Sequence, residues 1–110
     1  MGRLVYDGLV RLSVDDRTLT HLQVVIGDKL RRREAFTLSW ANGLDEGGGR
    51  IAIWVHPGSA LSFTFDKGER HRLNRAWLIA LANAANTSAG LQLVPEPTTE
   101  SDAETAESTS

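Results

Sequence analysis

Apolar and polar residues alternate along the first 94 positions in two different periods, and the change of period separates strands from helices. Leu4, Val5 and Tyr6, then Asp7-Gly8, then Leu9 to Val14 read as two short strands around a tight turn, because Asp-Gly tolerates the positive φ of such hairpins. In the second strand Val10, Leu12 and Val14 share one face, while Arg11 and Ser13 take the other. From Ala35 to Trp40, Phe36, Leu38 and Trp40 alternate with Thr37 and Ser39. Ile51, Ile53 and Val55 form the inward face of a further strand, with Trp54 and His56 opposite. Leu61, Phe63 and Phe65 alternate with Ser62 and Thr64 in the next. Asn42 to Glu46 and the three following glycines predict a flexible hairpin connection, and Pro57-Gly58 suits a type II turn, so this meander is expected to be antiparallel.

Two segments carry the longer period. Leu19, Leu22, Ile26 and Leu30 recur on one stripe with Val25 at its flank, predicting a helix capped by Asp15 or Asp16 and running to about Arg33. Gly27 lies inside it at a cost of about 1 kcal/mol relative to Ala, which points to a close contact there or a weak point. His21 sits far in angle from the stripe and is expected at the surface. Asn74 suits the cap of a second helix, with Trp77, Leu78, Leu81, Ala84 and Ala85 on one face and Asn83 and Asn86 on the other. Gly90 stops it, and Leu91 to Val94 add a last short strand. The pattern predicts an α+β fold: one small antiparallel sheet of about five or six strands with two helices packed on it.

Composition divides the chain at Pro95. Every aromatic residue and every Lys, Arg and His precedes it, whereas Ser, Thr, Glu and Ala dominate after it. Residues 1–94 therefore read as one compact domain, and 95–110 as a disordered acidic tail. The net charge of -2 hides this segregation. Five of the 14 acids lie beyond Pro95, which leaves nine in the domain against 12 basic residues, a surplus of three. So small an excess does not announce a nucleic-acid binder. With no cysteine, disulfide and thiolate chemistry are excluded and the fold must rest on its core. Near the start only Leu4, Val5 and Tyr6 stand between Arg3 and Asp7, short of the roughly 7 to 15 apolar residues of a signal peptide, and no stretch reaches the roughly 20 of a membrane span, so a cytoplasmic protein with no membrane partner is expected.

Candidate chemistry is sparse. Arg17, Arg31, Arg32 and Arg33 on the first helix can meet phosphates, or can offset the helix dipole and solvate its outer face. Arg72 and Arg75 lie beside His71 in a polar run at the entrance to the second helix, which can hold an anion or is simply a solvated loop. Trp54 and His56 share a strand face that is a contact surface if left open. If a helix covers that face, Trp54 is core, which the need to pack two helices favours. Gly47-Gly48-Gly49-Arg50 lacks the Lys-Ser/Thr of a phosphate-binding loop, no Gly-x-Ser-x-Gly elbow occurs, and Glu69 and His71 lack a third ligand at metal spacing. Neither a catalytic residue nor a cofactor or metal is expected. Asp15 and Asp16 are better employed as caps than as an acid/base pair.

Met-Gly-Arg-Leu-Val-Tyr at the start, Asp16 to Leu19, His21 to Gly27 with Lys29 to Arg32, Ser39-Trp40, Trp54 to Pro57 and Leu73 to Trp77 carry a resemblance over about residues 1 to 97. The chain resembles small uncharacterised actinobacterial proteins that are often automatically named ATP-dependent DNA ligase. The name implies a lysine that accepts AMP within Lys-x-Asp-Gly. Here Lys29 precedes Leu30-Arg31-Arg32 and Lys67 precedes Gly68-Glu69-Arg70, so neither lysine has the motif, and the resemblance brings no catalytic residues. A non-catalytic binding or interaction module with a protein partner is the leading expectation. A nucleic-acid-binding accessory protein is the alternative, and the sequence leaves the oligomeric state open.

Overall fold

Asp7 and Gly8 adopt the positive φ values of 52° and 74° that the Asp-Gly pattern predicts, and they join β1 (Gly2–Tyr6) to β2 (Val10–Val14) in an antiparallel hairpin. This computed structural model describes residues 1–41, 47–68 and 71–97. The expected connection at Asn42 to Glu46, the pair Glu69 and Arg70, and the tail from 98 onward lie outside the described residues. The remaining elements are α1 (Asp16–Arg31), β3 (Phe36–Ala41), β4 (Arg50–Val55), β5 (Leu61–Thr64), α2 (Arg75–Ala85) and β6 (Leu91–Gln92).

The α+β class and the two helices stand, but the single antiparallel sheet does not. The strands form two sheets of three, ordered β2-β1-β5 and β4-β3-β6. β5 leaves the meander after the Pro57 turn and pairs with β1 instead of β4. Ser59 N–H closes that turn on the His56 carbonyl at 2.8 Å, and Gly58 lacks the positive φ of a type II turn. The Tyr6 hydroxyl donates to the Trp54 carbonyl at 2.8 Å, which ties the two sheets together beside this crossing. β6 lies parallel to β3, because the chain reaches it through the α2 crossover and not through a hairpin.

One core serves both sheets and both helices. Leu4 and Leu12 come from the first sheet, Phe36, Leu38, Trp40, Ile53, Val55 and Leu91 from the second, and Leu19, Leu22, Ile26, Trp77 and Leu81 from the helices. Each such side chain contributes about 1.5–3 kcal/mol by leaving water. α1 is buried on a wider arc than its leucine stripe suggests. His21, Val25 and Lys29, spaced four apart, form a second buried stripe that faces α2. His21 meets Asn74 and Trp77 at the start of α2, and Lys29 meets Asn86 at its end, so the two helices run in the same direction. His21 is thus core, not surface: a helical angle identifies one buried face, and α1 has two.

The caps follow the sequence. Asp15 accepts from Thr18 N–H at 3.1 Å, and Asn74 accepts from Trp77 N–H at 3.2 Å. Asp16 instead accepts the backbone N–H groups of Asp66 and Lys67 at 3.0 and 2.9 Å, pinning the segment after β5. Those two bonds hold its carboxyl below the ordinary range. At the far end of α1, Arg33 takes φ 58°, with Glu34 N–H on the Lys29 carbonyl and Arg33 N–H on the Leu30 carbonyl. This is the Schellman closure with arginine where glycine is usual.

The C-terminal segment is clasped across the start of both helices. Arg17 donates through Nε and Nη2 to the two carboxylate oxygens of Glu96, at 2.9 and 2.7 Å, and through Nη1 to the Arg72 carbonyl. Asn74 Nδ2 donates to Glu96 at 2.8 Å, and the Trp77 indole N–H donates to the Val94 carbonyl at 2.8 Å. Glu96, which composition counts with the tail, is therefore bound by the folded domain.

The same substitution is expected to act with opposite signs at two glycines. A Cβ at Gly27 would meet only the end of Arg31 at 3.5 Å, so Gly27→Ala should raise the stability measured by urea unfolding by about 0.5–1 kcal/mol. At Gly90, with φ 85° and a Cβ falling 2.6 Å from the Thr37 carbonyl, Gly90→Ala should cost about 2 kcal/mol or more.

The clasp makes a separate prediction. Hydrogen bonds from Arg17 and then Asn74 lower the Glu96 carboxyl from 4.5 to about 2. A depressed carboxyl stabilises the fold above its unfolded value and loses that contribution as pH falls through its folded value. Glu96→Gln should therefore be less stable than the parent at pH 7, by about 1 kcal/mol. The gap should narrow between pH 4.5 and pH 2 in thermal unfolding followed by circular dichroism.

Candidate functional site

Three of the six arginines predicted to form a cationic surface are answered by the chain's own acids. Arg17 belongs to the clasp, Arg31 is paired with Asp28, and Arg32 Nε lies 3.5 Å from Glu34. Arg33 is exposed at the α1 terminus, Arg72 is exposed with its carbonyl held by Arg17, and Arg75 is exposed in the first turn of α2. The anion position expected at the α2 entrance is filled from within, by the Glu96 carboxylate on Asn74. His71 is half-buried there, with Nε2 enclosed and unpartnered among the described residues. It borders a groove with Val24, Phe65 and Leu73.

Trp54 and His56 do not act together. β4 turns Ile53 and Val55 into the core and leaves Ala52 and Trp54 outside, as alternation predicts. At this end of the outer face Trp54 is 58% exposed instead of joining the core, although Ser39, farther along the same face and bonded by Arg50, is buried. Both helices find their apolar partners on the inner side, which leaves neither to pack on the outer one. His56 folds over its own turn, with Nδ1 accepting from Gly58 N–H at 3.1 Å. It does not line the space beside Trp54.

That space is a cleft of about 440 Å³ bordered by Trp54, Thr37, Glu34, Lys29, Asn86 and Ser88. Both helices end at it. Lys29 is 5% exposed, and its ammonium donates to Glu34 Oε1 at 3.1 Å and to Asn86 Oδ1, the C-cap residue of α2. The cleft thus has a floor of fixed donors and acceptors, a wall with the Thr37 hydroxyl, and an indole at its rim. In the sequence Lys29 merges with the arginine run and Asn86 belongs to the outward face of α2. Only the four-residue spacing from His21 through Val25 to Lys29 hints at a second buried stripe. None of the six candidate arginines lines the cleft.

Among the described residues no group of three or more His, Asp or Glu could hold a metal, and no helix is long and apolar enough to cross a membrane. Burial alone would raise the Asp15 carboxyl, but hydrogen bonds from Thr18 outweigh it and lower the group, in keeping with a cap and not a general acid. Set against known proteins, the chain matches no curated protein and no solved structure. Residues 1–96 match the model of a domain of unknown function, DUF7882, and the chain belongs to that family.

Proposed function

We propose that this domain is a non-catalytic binding module that recognises its partner with the outer face of the β4-β3-β6 sheet, anchored by Trp54. The observation that carries the reading is an indole 58% exposed on the outward side of β4. Around it lie Thr37, Ala52 and the Arg50 guanidinium, which donates to Ser39 Oγ at 2.9 Å, so the aromatic stands alone on a polar surface. An indole more than half exposed draws only part of its possible apolar burial from folding, and a covering partner would supply the rest.

This reading is preferred to nucleic-acid binding by the basic helix, because Arg17, Arg31 and Arg32 are already paired with acids. It is also preferred to the chemistry of a ligase. A lysine that takes up AMP must offer a free amine, and Lys29 holds its nitrogen on Glu34 and Asn86. Lys67 sits on an exposed segment and is followed by Gly68-Glu69-Arg70, not by the x-Asp-Gly that a lysine taking up AMP requires.

The full chain, immobilised and exposed to cell extract, should retain a partner that Trp54→Ala fails to retain. The substitution should change unfolding stability by less than about 1 kcal/mol, because the side chain is mostly exposed. Equal retention by both proteins, or none by either, would remove Trp54 as the anchor.

A further inference from the structure

The cleft beside Trp54 restricts what can sit against the indole, and this inference rests on the Trp54 face being a binding surface. Three of the four usual ligand classes fit poorly. An anion meets the ends of two helices, whose last carbonyls carry partial negative charge, and finds the one buried ammonium already engaged by Glu34 and Asn86. A cation is offered one carboxylate, Glu34, whose charge the Lys29 ammonium 3.1 Å away already offsets. An apolar peptide side chain would cut Thr37 and Ser88 off from water without offering them hydrogen bonds, which offsets what the indole returns.

A neutral ligand rich in hydroxyls satisfies all of these constraints. Each hydroxyl both donates and accepts, so it can bond to a carboxylate, an amide or a threonine hydroxyl alike. The C–H face of a pyranose ring is flat and apolar enough to lie on the indole. The polar partners are held before the ligand arrives: Glu34 and Asn86 are both tied to the Lys29 ammonium, which lowers the ordering cost of binding. The volume of about 440 Å³ lies within the range of small-ligand sites. We infer that the cleft between Trp54, Thr37, Glu34 and Asn86 is a saccharide-binding site, with Trp54 as the stacking platform.

The test is a panel of immobilised neutral and acidic glycans probed with the full chain, beside panels of single-stranded oligonucleotides and of peptides, followed by calorimetry on the best glycan. Binding to a neutral glycan is expected, with little salt dependence. Trp54→Ala and Trp54→Leu should each weaken it about tenfold or more, and Trp54→Tyr should keep most of it, because stacking needs an aromatic face and not merely an apolar one. Retention of binding by Trp54→Leu overturns the stacking platform. Preference for oligonucleotides, with binding that falls steeply as salt rises, overturns the ligand class. If no glycan binds while partner capture from extract still depends on Trp54, the saccharide site fails and the binding face survives. If capture is lost as well, both fail.

Discussion

Two helices lying side by side and pointing the same way impose the constraint on which this fold depends. Each carries about half a positive charge at its start and half a negative charge at its end, so parallel neighbours place like charges together at both ends. The chain answers with side chains. At the shared start stand Asp15, Asp16 and the Glu96 carboxylate, and at the shared end the Lys29 ammonium reaches the α2 cap through Asn86. Burying a lysine is expensive unless it is paired, and here the pairing and the dipole compensation come from one group. Glu96 and Lys29 are thus opposite charges at opposite ends of one helix pair.

Asn74 is the joint through which this arrangement reaches the rest of the molecule. Its backbone N–H donates to His21 Nε2 at 2.8 Å, its carbonyl accepts from Leu78, its side-chain oxygen caps Trp77, and its amide donates to Glu96. With Asn74 N–H supplying a proton to Nε2, His21 must carry its own on Nδ1, and it donates that proton to the Arg17 carbonyl at 2.8 Å. A buried network of this kind is useful only when every member is satisfied, and each group here has its partner. Both helices and the segment from Val94 to Glu96 consequently hold one another in place.

Much of this was legible in the residues, and the rest was hidden for definite reasons. Asp7-Gly8, the caps Asp15 and Asn74 and the alternation around Ile53 could be read directly, because each depends on neighbours a few positions away. Alternation tells which face of a strand is buried but not which strand lies beside it, so the pairing of β5 with β1 and the parallel β6 were out of reach. His21 was misplaced and the burial of Lys29 was missed because a stripe of leucines suggests a single buried side. Glu96 looked like tail because composition changes at Pro95, yet its partner Arg17 lies 79 positions away, beyond any local pattern. For Trp54 the face was read correctly, while its exposure depended on where both helices packed.

The same packing explains why the site takes the form it does. With α1 and α2 both committed to the inner side, the outer face of β4-β3-β6 must meet water, and its Thr37, Ala52 and Gln92 suit that position. The β4 edge would ordinarily invite another strand, but the Tyr6 hydroxyl already occupies the Trp54 carbonyl, which blunts edge pairing at this end. Trp54 is therefore neither needed by the core, which Ile53 and Val55 supply, nor free to extend the sheet. What remains available to it is its exposed indole, bordering a cleft whose polar groups are already fixed by the end of the helix pair. An exposed aromatic next to preset donors and acceptors is the arrangement on which the proposed saccharide site rests.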